Sequence, residues 1–185
     1  MHRSVRFVTT SCAIVMAYAL PAAAQSSTIV ADLVADVADT EKKFMALANA
    51  IPADKWDWRP GTGVRSVGEV FKHVAADNYL IPAGLGYAAD ASTGIKGDDY
   101  KTAVAFEARK MDKAQTVAEL EKSFAHLKKS MQATQAAKLG DPVKLFGMPF
   151  TMQRAWVLGT THLHEHLGQL IAYARTNNVK PPWSQ

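Results

Sequence analysis

The histidines are the residues of this chain best suited to do chemistry. Six occur, and three of them fall within His162-Leu163-His164-Glu165-His166. On a helix, residues four apart stand one turn above each other on the same face, so His162 and His166 can hold one ion together. His164 points about 200° away from His162 and is expected on the surface. A lone histidine beside an apolar stripe, such as His73, is more often a hydrogen-bonded interior residue. His73 nevertheless repeats the arrangement, because it flanks Val70, Val74 and Ile81, with Asp77 one turn later. Three neutral imidazoles from two helices suit Zn, Ni or Fe(II), with positions left open for water or substrate. Asp77 and Gln169 are then candidates to accept the outer ring hydrogens of the ligands. His126 has no such partner and is expected on an ordinary helix surface, while His2 lies in the first segment of the chain.

The same letters satisfy H-x-x-E-H, the inverted zinc-protease signature in which the glutamate is the general base. Such proteases need a third, acidic ligand far downstream, and no acidic residue follows His166. The match is incidental as a protease signature, and Glu165 is kept only as a weak catalytic candidate beside the metal.

These side chains need helices to position them, and helical periodicity runs through the chain. Ile29, Leu33, Val37, Phe44 and Leu47 predict a first helix over 28–50, ended by Pro52. A turn-rich connection containing Trp56, Trp58, Arg59 and Pro60 follows. Ser66 with Glu69 forms a capping box that opens a second helix, weakened near its end by Pro82 and Gly84. Residues 84–114 predict a functional rim or a short extra helix. Thr116 with Glu119 predicts the start of a third helix, running to about 138, with Leu120, Phe124, Leu127 and Met131 inward. Residues 141–149 read as a short extended stretch closed by a Gly147-Met148-Pro149 turn. Trp156, Gly159, Leu163, Leu167, Leu170 and Ala174 predict a last helix over 151–176. An all-α four-helix bundle is the architecture these elements imply.

Composition narrows the setting. The chain of 185 residues is 48% hydrophobic, which suits one packed domain. Residues 1–24 read as a secretory signal peptide: Arg3 and Arg6, an apolar run over 8–20, then Pro21 and Ala22-Ala23-Ala24 before Gln25. The run is too short to span a membrane, which takes roughly twenty apolar residues. Cys12 lies inside it rather than after it, which is not the placement of a lipidated cysteine. Cleavage leaves residues 25–185 as the domain, secreted or periplasmic and without a membrane anchor. It removes two arginines and no acid, halving the formal net charge of +4. It also removes the only cysteine, so disulfides and thiolate metal ligands are excluded. No clustered basic patch remains that would argue for nucleic acid.

Several separated stretches together resemble the DinB-like (YfiT-like) family of metalloenzymes. They are Trp58-Arg59-Pro60, Arg65-Ser66-Val67-Gly68-Glu69, Phe71-Lys72-His73-Val74, and His162-x-x-x-His166-Leu167-Gly168-Gln169-Leu170 with Tyr173-Ala174-Arg175, Asn177 and Pro181-Pro182. The resemblance spans nearly all of 25–185. It implies a four-helix bundle, possible homodimers, and a divalent metal held by His73, His162 and His166. Family relatives include thiol-dependent transferases and a maleylpyruvate isomerase. Export weighs against a thiol co-substrate, since such thiols are scarce or oxidised outside the cytosol. The expectation is therefore a metal-dependent enzyme with a small-molecule substrate, of hydrolase or thiol-transferase type. The alternative is a noncatalytic divalent-metal-binding or dimerising structural protein.

Overall fold

A computed structural model describes residues 22–184. Most of the expected signal peptide lies outside those residues. The fold is mostly helical, with five α-helices and one small sheet among the described residues, so the all-α expectation is corrected by a β-hairpin. The helices are α1 (Ala22–Ala50), α2 (Val67–Gly84), α3 (Tyr100–Glu107), α4 (Lys113–Gln132) and α5 (Met152–Thr176). The strands are β1 (Pro142–Leu145) and β2 (Met148–Thr151). None of the described helices is long and apolar enough to cross a membrane.

Helix α1 packs on α4 and α5, while α2 packs on α4, α5 and the short α3. The expected stripes supply the interior. Val37, Phe44 and Leu47 of α1 meet Phe71 and Val74 of α2, Leu120, Phe124 and Leu127 of α4, and Leu163, Leu167 and Leu170 of α5, all buried. The Phe44 ring stands edge-on to Phe71 at 6.3 Å and tilts against Phe124 at 5.6 Å, joining three helices through one aromatic contact set. From Val70 to Pro82, α2 is buried at every position but Lys72. A helix enclosed on all sides must satisfy any polar side chain it carries, and that focuses attention on His73, Asp77 and Asn78.

The entry to α2 is fixed by local chemistry. Ser66 Oγ accepts from the Glu69 N–H, and Glu69 Oε2 accepts from the Ser66 N–H, so both halves of the capping box are present. The preceding loop docks by backbone bonds, with the Val67 N–H donating to the Trp58 carbonyl and the Gly68 N–H to the Trp56 carbonyl. Trp56 then lies stacked on Phe71 at 5.0 Å. A side chain at position 68 would start 2.4 Å from the Trp56 ring nitrogen, so only glycine admits that approach.

Some expectations about boundaries change, and α1 already runs from Ala22, ahead of the start expected at 28. The third long helix begins at Lys113, not Thr116, because Asp112 and Gln115 form the same type of capping box one turn earlier. Thr116 instead turns its hydroxyl back onto the Asp112 carbonyl, and the helix stops at Gln132. The 84–114 region contains α3, the short extra helix. The stretch after α4 is a hairpin whose turn is Phe146-Gly147, at φ 53° and 76°, rather than Gly147-Met148-Pro149. Two positive φ values suit the two-residue turn that matches strand twist, but that turn ordinarily takes Asn, Asp or Gly first. Phe146 gave no signal for it.

The capping box yields a stability test. Ser66→Ala should cost about 1 kcal/mol in urea denaturation. The Ser66 N–H, ahead of the opposing effect of burial and then the help of Arg59, holds the Glu69 carboxyl below its usual range. Its contribution is therefore complete at neutral pH and disappears as pH falls through the acid range. Glu69→Gln should flatten that part of the acid-denaturation curve.

Candidate metal centre

His73 lies on the enclosed face of α2, and His162 and His166 lie one turn apart on α5. Packing of α2 against α5 brings them together: one ligand atom from each falls within 4.8 Å of the others. The Nε2 atoms of His73 and His162 are 3.2 Å apart. Two nitrogens bound to one zinc at the tetrahedral angle lie about 3.4 Å apart, so this spacing already matches a shared ion. The three rings meet edge to face, with centroids 4.4 to 5.1 Å apart.

The outer ring nitrogens define the tautomers. His73 Nδ1 donates to Glu107 Oε1 at 2.8 Å, which leaves its Nε2 as a lone pair facing the cluster. His166 Nδ1 donates to Gln169 Oε1 at 2.8 Å, with the same result. Each acceptor is itself held. Glu107 Oε2 takes a charge-assisted bond from Arg65 at 3.2 Å, and Gln169 Nε2 donates to the Tyr173 hydroxyl at 2.8 Å. The Trp58 ring stands edge-on to Tyr173 at 5.4 Å. Carboxylate and amide acceptors behind ligating histidines fix ring orientation and raise basicity.

Asp77 is placed differently from Gln169. Its Oδ2 lies 3.1 Å from His162 Nε2 and 3.7 Å from His73 Nε2, the nitrogens that face each other. Its Oδ1 is buried without a hydrogen-bond partner. An orphaned carboxylate oxygen is costly in a dry site and marks a place where an ion or a proton belongs. Burial, outweighing the hydrogen bond to Gln169, pushes His166 down to about 4, with His162 and His73 adding to the effect. The ring therefore stays neutral at physiological pH, the form a metal ligand requires. Three converging imidazoles, two braced from behind, beside one buried carboxylate fit a divalent ion.

Of the residues singled out from sequence, His73, His162, His166, Asp77 and Gln169 are brought together. Glu165 is exposed, and the carboxylates that touch the imidazoles are Asp77 and Glu107. His164 is exposed as expected and pairs with Asp36 of α1 at 2.7 Å. His126 corrects its expectation: it is half-buried against Tyr79, with an enclosed, unpartnered Nε2, and burial lowers its pKa. Sequence reasoning missed Glu107. It ends a helix with no motif of its own, and the only available signal was that its segment was too long for a plain loop.

The profile of the DinB superfamily matches residues 37–170. The chain belongs to the DinB superfamily. Its fold is similar to a DinB-like protein from Bacillus cereus ATCC 10987, at TM-score 0.62 and 16% identity, covering 88% of this chain and 95% of that one. A DinB-like protein from Bacillus subtilis gives TM-score 0.59 at 19% identity, covering 85% and 97%. An uncharacterised protein from Escherichia coli UTI89 gives 0.60 at 16%, covering 82% and 95%. Comparison with curated proteins gave no match. At these identities the likeness establishes the DinB-like fold, and the chemistry rests on the side chains.

Glu107 makes the brace testable. Glu107→Ala should weaken zinc affinity by about 10- to 100-fold in a chelator competition, with the helical circular dichroism unchanged.

Proposed function

We propose that this DinB-superfamily protein is a metal-dependent enzyme that acts on a small molecule outside the cytosol. His73, His162 and His166 are its metal ligands. The observation that carries the reading is the convergence of those three imidazoles with Asp77, whose Oδ1 has no partner. The packing of α1 and α2 each against both α4 and α5 supports a four-helix bundle, with α3 and the hairpin added at its side.

A divalent ion at this site supplies Lewis acidity toward water, a carbonyl or a thiol. The chain's own residues divide the remaining work. Glu107 and Gln169 hold His73 and His166 in the ligating tautomer and orientation. Burial keeps His166 neutral. Asp77 Oδ2, facing the same nitrogens as the ion, is within reach to accept and return a proton during reaction. Water is available everywhere, whereas reduced low-molecular-weight thiols belong to the cytosol, so export favours hydrolysis over thiol transfer.

Metal analysis of the purified protein tests the ligand set. His73→Ala and His166→Ala should each lose bound metal, and full stoichiometry in either removes that residue from the site. A screen of esters and amides on the metal-loaded protein then separates catalyst from binder. Asp77→Asn should keep the ion and lose about 100-fold or more in turnover. Export is checked independently: N-terminal sequencing of protein from the periplasmic or secreted fraction should read from Gln25.

A further inference from the structure

A second feature lies on the same side of α2 as the imidazoles. Between the start of α3 and the tip of the hairpin opens a cleft of about 720 Å³, lined by Leu80, Gly97, Asp98, Tyr100, Lys144 and Phe146. Leu80 is buried and forms apolar floor, while Tyr100 and Phe146 remain 50% and 42% exposed. Their rings face each other edge-on, 6.4 Å apart, from two separate elements. Gly97 lets the α3 loop close on α2, since a side chain there would start 2.2 Å from the Ala83 backbone.

Phe146 is held there at a cost. Its φ of 53° is the left-handed region, which costs a residue with a side chain about 1–2 kcal/mol. The ring is not part of the buried core, so the strain is not offset by packing in the interior. Strained backbone of this kind persists where a side chain is needed in a particular place. Lys144 and Asp98 have no ion-pair partner among the described residues and carry opposite charges into the same cleft. The apolar walls, rather than net charge, therefore dominate what it takes.

The position links the cleft to the metal centre. Leu80 follows His73 by seven residues, which places it within about 20° on the same side of α2 and roughly 10 Å along it. Helix α3 spans the two regions, with Glu107 at the imidazoles and Tyr100 at the cleft.

We propose that this cleft is the anchoring subsite for the substrate: it takes the aromatic group of a small molecule without net charge. The ligand's polar, reacting end lies about two helical turns away, at the three imidazoles. Ring binding in the cleft stands by itself; only the placing of the reacting end rests on the metal-enzyme reading.

The test is a titration of isotope-labelled full chain, metal-free and metal-loaded, with phenylacetamide and its saturated analogue cyclohexylacetamide, followed by amide chemical shifts. Phenylacetamide should shift Leu80, Gly97, Tyr100, Phe146 and Gly147, and bind more tightly than the saturated analogue. Phe146→Gly should relieve the strained turn, so the melting temperature should hold or rise, while affinity falls at least about tenfold, or 1.4 kcal/mol. Tyr100→Ala should weaken binding in the same direction. The proposal is overturned if millimolar phenylacetamide leaves these amides unmoved, shifts only residues elsewhere, or binds Phe146→Gly as tightly. Because the titration reads the cleft and metal analysis reads the imidazoles, failure of one is distinguishable from failure of the other.

Discussion

The 3.2 Å approach of His73 Nε2 to His162 Nε2 joins two helices that are distant in sequence, and the candidate centre depends on it. Sliding α5 along α2 by one turn would displace the rings by about 5.4 Å and dissolve the cluster. The register is held by ordinary packing. Gly159 faces Ile81 two turns beyond His73, and Leu163, Leu167 and Leu170 are fully enclosed on the same helix. Interiors packed to crystal-like density do not slide continuously, so the core fixes the site as firmly as any bond within it.

Around that contact, residues from dispersed stretches become supports. Arg65, just before the capping box, holds Glu107, and Glu107 holds His73. Trp58, in the loop that docks on α2, stands against Tyr173, which receives Gln169, which receives His166. These two chains approach the imidazoles from opposite helices. The stretches that resemble the DinB-like family at the sequence level are thus not only ligands. They include the residues that orient them, which explains why tryptophan and arginine outside the ligand trio belong to the pattern.

Two costs run against stability near the region where the chemistry is inferred. Asp77 leaves one carboxylate oxygen buried and unpaired, and Phe146 sits in a backbone conformation better suited to glycine. Neither is needed to complete the core, which closes through Phe44, Phe71, Phe124 and Trp156. Features that a fold would be more stable without are often the ones that serve its ligands. Both lie on or beside the same side of α2.

The sequence alone determined the periodic parts of this protein. The apolar stripes of α1, α2 and α5 are set by residue spacing, the Ser66–Glu69 cap by local hydrogen bonds, and the His162/His166 pairing by the helical repeat. All act within a few residues, so they can be read without knowing what lies opposite. His73 was suggested as the third ligand by its place beside the apolar stripe of α2 and by resemblance to a family, but helix periodicity does not say which helices meet. Tertiary structure alone decided the rest. It made Phe146 a turn residue against its preference and buried half of His126. It also brought Glu107, from a segment without a motif, behind His73. The reason is physical: burial, orphaned polar atoms and second partners are properties of packed neighbours, and those neighbours stand tens of residues away along the chain.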